Sequence, residues 1–222
     1  MRCFLLVCLT LLLSSCSDVH EIKVGNNTFH FPKENLSADY SHGDGELLEY
    51  GYDTANLEFA LTWSADELER AIKGYVKSRG EHNFPNPINA GFYSITPDKR
   101  VNRENPERYK DAFLLEGKYE GARVEYDKQN SIFKVYDPAR NNWAWEVLKQ
   151  KPGHLSVLPK LNEDYWVGSC RDLPGIMGLT CRTDFTYRNY FLSVDIPGSN
   201  IRLRDQIKDF IISQVESWRV KN

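Results

Sequence analysis

The chain has 222 residues, a formal net charge of −3, 41% hydrophobic residues and 13% aromatic residues. That content supports a packed core in one large domain or two small ones and argues against a disordered or low-complexity protein. The nearly balanced, slightly acidic charge gives no reason to expect nucleic-acid binding.

Met1-Arg2 gives a short positive start, and residues 3–13 are almost wholly apolar. The run has the length of a signal-peptide core and is too short to cross a bilayer as a permanent helix. It ends in Leu13-Ser14-Ser15-Cys16, which resembles the lipobox of bacterial lipoproteins. The resemblance implies that residues 1–15 leave as a signal peptide and that Cys16 carries lipid. An ordinary signal peptide that happens to place Cys16 near the cut is the alternative. Ser17 after the cysteine implies a periplasmic protein sorted by default to the outer membrane. The remainder holds 27 basic and 31 acidic residues, a net charge of −4. It contains no second apolar stretch long enough to span a membrane, so the acyl chains are the expected anchor.

Residues 16–21 read as a lipidated tether and 22–222 as one periplasmic α+β domain. Residues 22–24 and 28–31 read as short strands around the Gly25-Asn26-Asn27 turn. Residues 57–63 alternate Leu57, Phe59, Leu61 and Trp63 with smaller or polar residues, the period of a half-buried strand. Ser64 and Glu67 have capping-box spacing, and Leu68, Ala71, Ile72, Tyr75 and Val76 continue a helical face to a stop at Gly80. Residues 81–110 show neither period and carry four prolines and a dense charge cluster. They read as a long loop that is either functional or a mobile charged segment with no partner. Strands are then expected at 112–119, 122–126, 131–136, 143–148, 154–158 and 165–170, followed by a hairpin over 179–187 and 190–196. A helix over 201–218 closes the chain, with Leu203, Ile207, Phe210, Ile211, Val215 and Trp218 as its apolar stripe and Arg204 among the residues facing away. The fold class is therefore an antiparallel β-sheet with two amphipathic helices.

No catalytic motif appears: no nucleophile elbow, no His-Glu-x-x-His and no phosphate-cradling glycine loop. His42, Asp44 and Glu46 in a glycine-rich stretch read as a solvated turn, so no metal or cofactor is expected. Cysteine counting points to one covalent device. Cys3 and Cys8 leave with the signal peptide and Cys16 takes lipid, so Cys170 and Cys181 are left to pair in an oxidising compartment. A redox-active pair is the alternative, but catalytic dithiols favour Cys-x-x-Cys spacing.

Two stretches offer partner-binding candidates. Trp143 and Trp145 share one face of a strand. Burial tendency places them in a core, whereas the preference of tryptophan for interface centres gives them a surface role. In the 81–110 segment, Phe92 and Tyr93 read as loop anchors, with Arg100, Arg103 and Arg108 as a charged rim that steers association.

Phe29-His30-Phe31-Pro32-Lys33-Glu34-Asn35-Leu36, the strand ending in Trp63, Cys181-Arg182 followed by Phe185, and the closing Glu216-Ser217-Trp218 resemble small exported lipoproteins encoded beside type VI secretion toxins. In that family such proteins act as periplasmic immunity proteins. The resemblance covers about half the mature chain, rests on core and turn residues, and implies a toxin-binding protein with no activity of its own. A structural or assembly lipoprotein of the envelope would show the same anchor. A hydrolase with dispersed catalytic residues is the third reading.

Overall fold

Alternating apolar and polar residues dominate the second half of the chain, and they build an eight-stranded, wholly antiparallel sheet. The computed structural model describes residues 19–37, 59–77, 87–94, 107–140, 143–153, 165–173 and 178–221. Among the described residues the strands are β1 (Val19–Val24), β2 (Asn27–Pro32), β3 (Phe59–Trp63), β4 (Ile88–Ser94), β5 (Val124–Asp127), β6 (Ile132–Tyr136), β7 (Ala144–Leu148), β8 (Trp166–Leu173), β9 (Gly178–Tyr187) and β10 (Tyr190–Pro197). The α-helices among the described residues are α1 (Ala65–Ala71), α2 (Glu107–Leu114) and α3 (Arg204–Trp218). Strands β5 to β10 follow one another as a meander, and β4 and then β3 extend the sheet beyond β10. β1 and β2 form a separate hairpin, and Val220 N–H donates to the Thr28 carbonyl at 2.9 Å, tying the chain end to that hairpin.

The largest core lies on one face of the β3–β4–β10–β9 half. Phe92, Leu192 and Phe185 share that face by register and meet Phe29, Phe31, Trp63, Leu68 and the buried stripe Ile207, Ile211 and Val215 of α3. Aromatic rings interlock there: Phe92 lies 4.9 Å from Tyr190 and 5.5 Å from Phe29. A second cluster joins Ala112, Phe113 and Tyr119 to Val135, Leu148 and Trp166 on the opposite face of the other half.

Several expectations change. α1 does start at the Ser64 cap, whose hydroxyl accepts the Glu67 N–H at 3.2 Å, but it stops at Ala71. Ile72 is extended and Gly74 takes φ +86°, which turns the chain so that Ile72 and Tyr75 both enter the core. The fully buried Asn200 side chain then accepts the Val76 N–H and donates to its carbonyl, both at 2.8 Å, replacing the next helical turn. The expected strand at 112–119 is instead the end of α2 followed by a 3-10 turn, Gly117–Tyr119. Its apolar residues Ala112, Phe113 and Tyr119 cover the sheet rather than join it. The 81–110 segment is not one long loop, because β4 lies inside it and pairs with both β3 and β10. β1 begins at Val19, inside the expected tether. Arg204, read as outward-facing, is 2% exposed, and its guanidinium donates to Thr183 Oγ1 at 3.1 Å and Asp205 Oδ1 at 2.9 Å. The expected strand at 154–158 and the His42, Asp44 and Glu46 turn lie outside the described residues.

Candidate functional site

The disulfide organises the site from below. Cys170 in β8 and Cys181 in β9 are directly opposite, with Cα atoms 4.0 Å apart, and both are buried. Paired residues project to the same face and successive residues alternate. The neighbours of the two cysteines therefore emerge on the other face: Ser169 opposite Arg182, and Arg171 opposite Thr180. By the same register Glu146 and Ala144 of β7, and Asp195 of β10, join that face. Lys118 and Tyr119, from the turn after α2, and Asp137 and Arg140, from the 3-10 turn Pro138–Arg140, close it into a cleft of about 340 Å³.

The floor is tightly bonded. Glu146 accepts from Tyr119 Oη at 2.9 Å, Trp166 Nε1 at 2.8 Å and Ser169 Oγ at 2.5 Å. Burial, reinforced by the Glu146 charge, pushes the Tyr119 hydroxyl far above its usual range, so it stays a donor at any physiological pH. Arg182 and Asp195 form a two-pronged pair at 2.9 and 3.1 Å. Asp137 is buried, caps Ala139 N–H at 3.0 Å and lies 3.6 Å from the Arg140 guanidinium.

The outer groups are cationic. Lys118 and Arg140 are exposed and Arg171 is half-buried. Lys118 sits 4.7 Å above the Tyr119 ring, and among the described residues neither Lys118 nor Arg171 has a carboxylate within ion-pair distance. Arg140 also reaches the Trp143 ring at 5.4 Å, which joins the cleft to a second surface. Trp143 is 37% exposed at the entrance to β7, while Trp145 is half-buried against Tyr136 at 5.4 Å. The Arg123 guanidinium lies 3.8 Å above the Tyr136 ring. Burial and a hydrogen bond to Glu125 push the Tyr136 hydroxyl up to about 12.

The sequence candidates are thus divided. Trp143 is available as a surface group beside the cleft. Phe92 is fully buried in β4, so it is a core residue and not a loop anchor. Tyr93 lies in the same strand, opposite Phe191. Arg108 falls in α2. Cys16, Arg100 and Arg103 lie outside the described residues. Sequence reasoning missed Lys118, Arg140, Glu146, Arg171 and Arg182. A signal for three cleft residues was present: once Cys170 and Cys181 bridge neighbouring strands, Ser169, Arg171 and Arg182 must share the opposite face. Among the described residues no three His, Cys, Asp or Glu side chains form a group that could hold a metal ion, and no helix is long and apolar enough to cross a membrane.

No family model and no curated protein matches the chain. Among solved structures it is similar to Smlt3025, an immunity protein of the Stenotrophomonas maltophilia type IV secretion system. The match has 10% sequence identity and a TM-score of 0.49, over 92% of this chain and 94% of that one. A likeness this distant carries no argument about what this chain binds.

Proposed function

We propose that the chain is a lipid-anchored periplasmic immunity protein that neutralises a secreted toxin, of the type VI class, by direct binding and without turnover of its own. The observation that carries this reading is the cleft: a rigid polar floor across four strands, with outward cations and the exposed Trp143 at its margin. A floor already fixed by a disulfide, a two-pronged ion pair and a three-donor carboxylate loses little entropy when a partner docks. Tryptophan and arginine at the margin are the residue types that dominate interface energetics. The lipobox resemblance at Cys16 holds the protein at the envelope, where an incoming toxin would meet it.

A growth competition tests this directly. A strain lacking the gene is expected to be killed by its toxin-secreting parent and rescued by the gene supplied in trans. Equal survival of the deletion strain, with an assembly defect in the envelope, would favour a structural lipoprotein instead.

A further inference from the structure

We infer that the cleft is a carboxylate-binding site that receives an acidic side chain, Asp or Glu, from a loop of the protein partner. The inference rests on the proposed binding role and specifies its chemistry. The chain as a whole is acidic, at −3, yet the accessible groups of the cleft are basic. Its three carboxylates are committed: Glu146 to three donors, Asp195 to Arg182, and Asp137 to the turn beneath Arg140. Arg171 and Lys118 line the same space with no acid partner among the described residues. An arginine fork and a lysine lining one cleft make a favourable seat for a carboxylate, because charge-assisted and two-pronged bonds are the strong ones.

Volume and charge narrow the occupant. At about 340 Å³ the cleft is near the small end of ligand pockets and suits a side chain offered by a loop. A nucleic acid would need a basic stripe to follow repeated phosphates, and the carboxylates of the floor oppose it.

Calorimetric titration of the full-length protein in detergent micelles tests this with three probes: hexaglutamate, hexalysine and a six-nucleotide single-stranded DNA. Hexaglutamate is expected to bind, hexalysine not at all, and the oligonucleotide about tenfold more weakly. Arg171→Gln is expected to weaken hexaglutamate binding about tenfold, the loss of one charge-assisted contact. Lys118→Gln, on an exposed turn, gives a second reading if Arg171→Gln does not fold. Unchanged affinity in a folded variant, or oligonucleotide binding as tight as hexaglutamate, would overturn the inference. The two readings fail separately. Hexaglutamate binding by a protein that protects no cell keeps the site and removes the immunity role, while protection without hexaglutamate binding does the reverse.

Discussion

Phe92→Ala separates a core residue from an interface anchor. Phe92 has no exposed surface, and its ring centroid lies 4.9 Å from Tyr190, 5.5 Å from Phe29 and 6.3 Å from Phe31. Truncating a buried phenylalanine costs about 3–5 kcal/mol, the transfer term plus the cavity it leaves. Losing edge-to-face partners adds to that, since each such pair is worth about 0.5–1.5 kcal/mol beyond area. We take about 4 kcal/mol, a large share of the roughly 5–15 kcal/mol that holds a typical domain folded. With a urea slope of about 2 kcal/mol/M, the unfolding midpoint should fall by about 2 M. Phe92→Leu, which keeps most of the apolar volume, should lose under about 1.5 kcal/mol. Equilibrium urea unfolding followed by tryptophan fluorescence reads both. A midpoint shift below about 0.5 M for Phe92→Ala, with weakened partner binding, would refute the placement of Phe92 in the core.

The remaining expectations concern the disulfide, the chain end and the anchor. With Cys170 and Cys181 separated by 11 positions in sequence, the chain-entropy relation gives about 3 kcal/mol, so Cys170→Ser/Cys181→Ser should unfold at a correspondingly lower denaturant concentration and the oxidised protein should show no reactive thiol at either site. Glu216 accepts from Arg219 and is further paired with Arg188 and Tyr187, which hold its carboxyl down from 4.5 to about 2. A depressed carboxylate stabilises the fold above its unfolded value and loses that effect as pH falls from 4.5 towards 2. Glu216→Gln should remove about 2 kcal/mol at pH 7 and flatten this part of the acid-unfolding profile, as read by circular dichroism. Cys16→Ser should abolish fatty-acid labelling of the protein; labelling as strong as wild type would sink the lipobox reading.

Where the sequence carried a strong local signal, fold and reading agree. The Ser64–Glu67 cap, the β9–β10 hairpin, the period-two strands from β6 onward and the α3 stripe are local patterns that tertiary packing reinforces. The failures are equally physical. Ile72 and Tyr75 fit a helical face, but the chain turns away at extended Ile72 and at Gly74, and Asn200, more than a hundred residues away, holds the new path through Val76. Ala112 and Phe113 are adjacent apolar residues, a pattern shared by a buried strand and by one face of a short helix. Proline and charge around β4 concealed a strand whose partners, β3 and β10, are distant in sequence. The cleft was legible only in part. The cysteine pairing assigns Ser169, Arg171 and Arg182 to one face, but Lys118 and Arg140 arrive from turns whose placement no local pattern announces.

The central claim is that a partner toxin is held at this cleft. The direct measurement is the affinity of the protein for the toxin that kills the deletion strain, compared between wild type and Arg171→Glu. Reversing a charge beneath an acidic side chain should weaken binding at least about a hundredfold, mostly through faster dissociation, while the urea midpoint stays unchanged. Undiminished affinity in folded Arg171→Glu, or no binding by the wild type, would contradict the account.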